Sequence, residues 1–282
     1  MQKCEKKCVN LLEYSQNKRK MQQVKPKKAL GQHFLTDLSV AKRIADTLSD
    51  YKDYPVIEVG PGMGVLTQFL LENGHDLRVV ELDKESVDYL KEHFPSLDGR
   101  IVSGDFLRLE LPDVVANAEK FCVIGNYPYN ISSQIFFHVL DYKERVVCCS
   151  GMLQREVAER LSAKPGTKAR GILSVLLQAW YDVEYLFTVS ENVFNPPPKV
   201  KSGVIKMTRN DVKDLGCDER LFKTVVKTSF GQRRKTLRNS LRGLLPTNVT
   251  SEMLTDKIWG QRPEQLSVEQ FVELTNIVQN FQ

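Results

Sequence analysis

The chain has 282 residues, enough for one large hydrophobic core and a smaller appended domain. Its hydrophobic fraction of 41% and charged fraction of 27% are those of an ordinary globular protein, and no apolar run approaches the ~20 residues that span a bilayer. The composition therefore excludes a membrane-embedded protein. The six cysteines form no CxxC pairs and lack metal-ligand spacing, which predicts a cytoplasmic chain with reduced thiols in its core and no bound metal.

Positive charge is concentrated in two segments. Residues 1–28 contain nine Lys or Arg and two Glu, and residues 221–242 contain seven basic residues and no acid. Such blocks suit a phosphate-rich partner, although a solvated surface and a disordered tail would give the same composition. Residues 1–24 are polar and lack periodicity, which predicts a disordered basic tail. Met21 resembles a native start, so residues 1–20 are predicted to be dispensable.

Alternating strand and helix patterns begin at residue 55. Predicted strands occupy residues 55–60, 77–82, 100–103, 121–125, 145–150, 183–189 and 203–207. Predicted helices occupy residues 65–72, 84–94 and 171–180. This alternation predicts an α/β, Rossmann-like domain over residues 25–208, with a mostly parallel sheet that binds ligands at the carboxyl ends of its strands.

The strand patterns stop at about Arg209. Leucines at helical spacing predict a basic helix across Arg233–Arg242, and Ser267-x-x-Gln270 resembles a capping box before a last helix. We therefore expect residues 209–282 to form a small all-helical domain.

A glycine-rich segment, EVGPGMG at residues 58–64, joins the first predicted strand to the first predicted helix. Gly60 and Gly62 let the backbone turn sharply and approach a ligand without interference from a Cβ atom. Val65 stands where the dinucleotide fingerprint G-x-G-x-x-G has its third glycine. The spacing therefore favours S-adenosylmethionine, which has no pyrophosphate, over NAD.

Two acids follow at the next strand ends. Glu81 lies 21 residues after Gly60, where a carboxylate can accept hydrogen bonds from both ribose hydroxyls. Asp105 follows the third strand and can accept a hydrogen bond from the adenine amine. Either acid alone could simply cap a helix, but their positions at successive strand ends predict a cofactor site.

The segment Asn126-Tyr127-Pro128-Tyr129 follows the fourth predicted strand. An adenine amine is a poor nucleophile because its lone pair is delocalised into the ring. The side-chain oxygen of Asn126 and the backbone carbonyl of Tyr127 can accept its two hydrogens and favour the pyramidal, nucleophilic form. Pro128 stiffens the loop and Tyr129 can stack on an extruded base, so the segment predicts catalysis by positioning. The structural alternative is a proline turn with a core tyrosine.

Seven stretches, in family order, resemble the KsgA-type small-subunit rRNA adenine dimethyltransferases. They are residues 27–35, 58–67, 79–85, 125–133, 154–175, 193–204 and 230–241. The resemblance implies a class I methyltransferase domain with a seven-stranded sheet and a helical C-terminal domain. It further implies transfer of four methyl groups to two adjacent adenosines in the 3′-terminal hairpin loop of 16S rRNA, in a partly assembled small subunit (pre-30S particle). We expect the chain to act as a monomer.

The resemblance also implies roles for individual residues. The implied cofactor contacts are Gln32, His33, Leu35, Gly60, Gly62, Glu81, Asp105 and Asn126. The implied catalytic loop is Asn126, Tyr127, Pro128 and Tyr129, and the implied contacts with RNA phosphates are Arg233, Arg234, Lys235 and Arg238. Two positions depart from the family pattern: His33 replaces Asn, which leaves its tautomer open, and Tyr127 replaces Leu, which matters little if its carbonyl acts. Phe34, Phe136 and Phe137 are interpreted as core residues.

Three other functions stay open on the residues alone. One is dimethylation of large-subunit rRNA, which shares the cofactor and the loop type. Another is a non-catalytic RNA-binding assembly or transcription factor on the same fold. A third is methylation of adenine in DNA.

Overall fold

A twisted seven-stranded sheet forms the centre of the described chain. The structure, a computed structural model, describes residues 26–27 and 30–281, so the predicted tail (residues 1–24) and the dispensability of residues 1–20 lie outside the described residues. Strands β1 to β9 span Phe34–Leu35, Val56–Val59, Leu77–Glu81, Ile101–Ser103, Phe121–Asn126, Val146–Gln154, Tyr181–Val189, Phe194–Asn195 and Ser202–Arg209. The sheet order is β4-β3-β2-β5-β6-β9-β7, and β1 pairs separately with β8.

Helices cover both faces of this sheet. Helices α1 to α10 span Leu38–Ala45, Thr67–Glu72, Lys84–His93, Leu111–Val114, Ser132–Asp141, Arg155–Leu161, Ile172–Gln178, Glu219–Gly231, Leu237–Ser240 and Val268–Phe281. Strands β4, β3, β2, β5 and β6 are parallel, whereas β9 is antiparallel to both β6 and β7. Parallel neighbours require covered faces, which explains why β2 and β5 are almost wholly apolar.

Successive residues of β2 contribute to opposite sides of the sheet. Val56 belongs to one hydrophobic cluster, with α1 and α2, while Ile57 and Val59 belong to the other. The second cluster continues into the C-terminal helices, where it includes Val225 and Leu274. The C-terminal helices therefore share their hydrophobic core with one face of the sheet, and the division of the chain at residue 208/209 stays a prediction.

The sequence predicted the strands well and some helices poorly. Every predicted strand is confirmed, and the Ser267–Gln270 capping box forms with bonds of 2.9 and 3.2 Å. Helices α1, α4, α5 and α6 were not predicted. Among the described residues, no helix is both long and apolar enough to cross a bilayer.

The predicted basic helix across Arg233–Arg242 is wrong. Helix α8 ends at Gly231, residues 232–236 form a turn, and α9 has only four residues before a short 3-10 turn. The break follows from tertiary packing, because the amide of Leu237 donates to the carbonyl of Gln261 at 2.8 Å and Leu237, Leu241 and Leu245 are all buried. The leucines do have helical spacing, but they are buried along a short helix and a 3-10 turn and not along one continuous helix.

Candidate active site

A cavity of about 320 Å³ opens at the carboxyl ends of β2, β3, β4 and β5. Its volume is in the range of small-molecule sites. Every residue predicted for the cofactor or the catalytic loop lines it: Gln32, His33, Leu35, Gly60, Gly62, Glu81, Asp105, Asn126, Tyr127, Pro128 and Tyr129. The parallel sheet brings these residues together, because parallel strands end at one edge.

The glycine loop adopts a backbone conformation that L side chains disfavour. Gly60 and Gly62 have φ angles of +64° and +56°. A Cβ atom on Gly62 would lie 3.1 Å from Cε1 of Phe34, and one on Gly60 would lie 4.0 Å from Cδ of Pro128. The loop is therefore packed between the N-terminal segment and the catalytic loop.

Glu81 connects the glycine loop to the loop that follows β3. Its Oε2 accepts from the amide of Gly62 at 3.0 Å and its Oε1 accepts from the amide of Asp83 at 2.8 Å. Burial raises the pKa of Glu81, and the two amide donors oppose that rise. The carboxyl group is thus fixed in direction before any ligand binds.

A second buried acid beneath the loop was not predicted as a site residue. Glu58 is 1% exposed, and its Oε2 accepts from the hydroxyl of Thr67 at 2.7 Å. Burial raises the pKa of Glu58 from its ordinary value of 4.5 to about 8. This rise favours the protonated form of Glu58, which adds less negative charge beside Glu81 than an ionised carboxylate would.

Asp105 lies at the cavity wall and also caps a helical turn. Its Oδ1 accepts from the amide of Leu107 at 3.0 Å, and its Oδ2 lies 3.5 Å from Nε of the exposed Arg108. The helix-capping role that the sequence left open is therefore real, and it places the carboxylate at the cavity.

The catalytic loop faces the glycine loop. The Nδ2 atom of Asn126 donates to the backbone carbonyl of His33 at 3.3 Å, which leaves the Oδ1 atom to accept. The Tyr127 side chain is 1% exposed, and its hydroxyl donates to the carbonyl of Ser150 at 2.7 Å. Because that side chain lies in the core, only the backbone of Tyr127 can act at the cavity. Phe136 is also core, as interpreted.

Residues 30–35, called the strap below, line the cavity. Strand β1 of the strap pairs with β8, and Nδ1 of His33 bonds to the carbonyl of Pro196 at 2.9 Å. A carbonyl can only accept, so Nδ1 of His33 is the donor in this bond. The Leu35 side chain points into the core, while Phe34 is half-buried beside the glycine loop. Phe137 is likewise partly buried against the core.

Polar contacts from Lys27, and from Gln32 of the strap, reach the loop after β3 and the start of α3. Nζ of Lys27 lies 2.5 Å from Oδ1 of Asp83 and 3.0 Å from Glu85. Nε2 of Gln32 donates to the other oxygen of Asp83 at 3.4 Å. Burial alone would raise the pKa of Asp83, but the bonds from Lys27 and Gln32 hold it below the ordinary value. Asp83 could be noticed in the sequence only through its place in the stretch 79–85.

The four predicted RNA contacts separate into two pairs. Arg234 and Lys235 are exposed in the turn after α8. Arg233 donates to the backbone carbonyl of Lys168, and Arg238 donates to that of Leu254 at 2.9 Å. Arg233 and Arg238 therefore support the turn in which Arg234 and Lys235 lie.

A sheet of this order, with a glycine loop and an acid at successive strand ends, defines a class I methyltransferase that uses S-adenosylmethionine. Two solved structures share the fold. A dimethyladenosine transferase from Plasmodium falciparum superimposes with a TM-score of 0.70 at 21% identity, over 88% of this chain and 98% of that one. The 23S rRNA methyltransferase ErmE gives a TM-score of 0.64 at 25% identity, over 86% and 99%.

Sequence comparison identifies the family within this class of methyltransferases. Residues 23–280 match the family described as ribosomal RNA adenine dimethylase. A relative from Parabacteroides distasonis, named ribosomal RNA small subunit methyltransferase A, is 71% identical over 92% of this chain and 96% of its own length. The chain belongs to the ribosomal RNA adenine dimethylase family.

The cavity fits the cofactor of this family. Glu81 is oriented by two amides, so its carboxyl group offers a fixed acceptor for ribose hydroxyls, and Gly60 and Gly62, with positive φ angles, form the loop that lines the cavity. Asp105 lies at the neighbouring strand end. These residues would hold S-adenosylmethionine, together with Gln32, His33 and Leu35 of the strap, which line the same cavity.

Proposed function

We propose that this protein dimethylates N6 of two adjacent adenosines in the 3′-terminal hairpin loop of 16S rRNA, with S-adenosylmethionine as the methyl donor. It acts in the cytoplasm, as a monomer, on a pre-30S particle. The high identity to a small-subunit methyltransferase supports the choice of rRNA. The observation that carries the chemistry is the oriented carboxamide of Asn126.

Asn126 prepares the target amine for attack. Because its nitrogen is engaged by the carbonyl of His33, its oxygen accepts one hydrogen of the adenine N6 amine, and the carbonyl of Tyr127 accepts the other. Two acceptors aimed at both hydrogens draw the nitrogen out of conjugation and localise its lone pair. When bound, S-adenosylmethionine supplies an electrophilic methyl group on its sulfonium.

The other residues of the loop contribute by positioning the target base. Tyr129 stacks on the extruded base, and Pro128, packed against Gly60, restricts the loop. No strong base is needed, because the methylated amine is acidic enough to lose its proton to water. After one transfer the amine keeps one hydrogen, and a second transfer completes the dimethylated product.

The C-terminal residues 209–281 supply a surface for RNA. Arg234 and Lys235 are exposed and contact phosphates, which gives affinity without reading sequence. Arg233 and Arg238 are tied to backbone carbonyls and shape that turn, so their effect on RNA is mainly indirect.

Mass spectrometry of RNA after incubation with labelled cofactor tests the proposal. Unmethylated small-subunit precursors, large-subunit precursors and duplex DNA serve as parallel substrates. We expect dimethyladenosine at two adjacent positions near the 3′ end of 16S rRNA and little product elsewhere. Methylation of 23S rRNA or of DNA instead would refute the choice of substrate.

Calorimetry with S-adenosylmethionine separates an enzyme from a non-catalytic assembly factor. We expect one binding site per chain. A chain that binds small-subunit precursors without binding the cofactor would favour the scaffold function and overturn the enzymatic one.

A further inference from the structure

The ring of Tyr129 is anchored by a residue at the start of β9, two strands from β5 in the sheet. Its hydroxyl lies 2.5 Å from Oγ of Ser202, a residue 73 positions later in the chain. The Tyr129 side chain is partly buried, and its ring lies 5.6 Å from the ring of His33, tilted by 30°. The Tyr129 carbonyl also accepts from the hydroxyl of Ser132 at 3.3 Å. The anchor on the ring itself is Ser202.

Ser202 is a rigid support. It is the first residue of β9, where it pairs with Gln154 of β6 on one side and with Val189 of β7 on the other. Its side chain is fully buried. A hydroxyl held between two neighbouring strands moves little, whereas Tyr129 lies in a loop, so the bond transfers the rigidity of the sheet to the ring.

We propose that Ser202 is a positioning residue for methyl transfer: it fixes the plane of the Tyr129 ring on which the target base stacks. This inference rests on the proposed function, in which Tyr129 contacts the substrate. Ser202 itself contacts the hydroxyl at the end of the Tyr129 ring and acts only through that ring.

The two transfers on one adenosine depend on this ring unequally. In the first, the N6 amine offers one hydrogen each to Asn126 and to the Tyr127 carbonyl. N6-methyladenosine keeps a single N–H, so one acceptor loses its partner and the hydrogen bonds position the amine less well. Stacking on Tyr129 then carries a larger share of the positioning. Loss of the Ser202 anchor should therefore slow the second transfer more than the first.

The experiment compares Ser202→Ala, Tyr129→Phe and the double variant with the wild type. Ser229→Ala is the matched control, because Ser229 is also fully buried and its hydroxyl bonds only within helix α8, to the carbonyl of Val225. Mass spectrometry of small-subunit precursors follows monomethyl and dimethyl adenosine with time, and thermal unfolding confirms that each variant is folded.

We expect Ser202→Ala to slow the second transfer about tenfold and the first no more than about threefold, the scale of one lost hydrogen bond. Monomethyladenosine should accumulate. Tyr129→Phe should behave alike, and the double variant should be no worse than either single one, since both remove the same bond. Ser229→Ala should keep the wild-type product ratio even if it lowers the unfolding temperature. A folded Ser202→Ala variant with the wild-type ratio, or additive losses in the double variant, would overturn the inference.

A second measurement is independent of RNA. In protein labelled with 13C in its tyrosine rings, the resonance that Tyr129→Phe removes identifies Tyr129. Ser202→Ala should shift and broaden that resonance, and Ser229→Ala should not. If the wild type fails to methylate small-subunit rRNA, the proposed function is wrong, while an unchanged Tyr129 resonance in Ser202→Ala would show that the anchor itself is wrong.

Discussion

Replacing Glu81 by glutamine tests the cofactor site most directly. The substitution keeps the shape but turns one acceptor oxygen into an NH₂ donor. Both oxygens of Glu81 now accept backbone amides, from Gly62 and from Asp83, so one of those amides would face a donor. An unsatisfied buried amide costs about 1–3 kcal/mol. Removing a carboxyl group that burial disfavours offsets part of this cost, so we expect a loss of about 1 kcal/mol in unfolding free energy.

The substitution should reduce the free energy of cofactor binding more than the free energy of unfolding. Hydrogen bonds to a charged acceptor are worth roughly 1 kcal/mol more than those to a neutral one, and the ribose offers two hydroxyls. Two weakened bonds, together with a displaced glycine loop, give a loss of about 2–3 kcal/mol, or roughly 100-fold in Kd.

Calorimetric titration with S-adenosylmethionine measures that loss. Glu72→Gln is the control, because Glu72 is an exposed acid at the end of α2 and the substitution removes the same charge in solvent. We expect Glu72→Gln to bind as the wild type does. If Glu81→Gln stays folded and its Kd lies within threefold of the wild type, the ribose assignment is refuted.

Three further outcomes follow from the same geometry. The pKa of Glu58 is raised to about 8, so between pH 4.5 and 8 the folded state holds a proton that the unfolded state has lost. The free energy of unfolding should therefore fall as the pH rises through this range. The Glu58→Gln variant should show a smaller fall in melting temperature over the same range. Coincident pH profiles would contradict the buried neutral acid. Asn126→Ala should lower the rate of methyl transfer at least ~100-fold in single-turnover assays while leaving cofactor Kd within about tenfold, and a variant that still dimethylates would disprove its role. Neutralising Arg234 and Lys235 together should reduce the salt slope of RNA binding by about two, whereas Arg233→Gln should mainly lower the unfolding temperature; an unchanged slope would place the RNA surface elsewhere.

Local sequence patterns were sufficient to predict the sheet and the edge of the sheet at which the cavity lies. The run Val56–Val59 is apolar except for Glu58 and is buried at every position, as expected of a strand in a parallel sheet whose two faces are covered. Once the strands were placed, the glycine loop and Glu81 had to meet, because both lie at carboxyl ends. Helices such as α5 were missed because an apolar segment next to a strand has no clear period of its own.

Long-range contacts decided how the site residues are held. The bond between Tyr129 and Ser202, and that between His33 and Pro196, join segments 73 and 163 residues apart. Arg238 reads as a phosphate contact in the linear chain, yet its guanidinium reaches the carbonyl of Leu254. Such partners depend on how helices and loops pack.

The order of residue types along this chain was enough to predict the kind of reaction. The predicted hydrogen-bond acceptors, the aromatic residue for base stacking and the glycine turn all follow strand ends, and a parallel sheet brings strand ends together at one edge. Tertiary structure alone decided the electrostatic state and the rigidity of that edge. Burial raises the pKa of Glu58, and Ser202 of β9, distant in sequence but two strands from β5 in the sheet, bonds to the hydroxyl of Tyr129. Desolvation and packing depend on what surrounds a group in space, and neighbours in sequence do not supply that information.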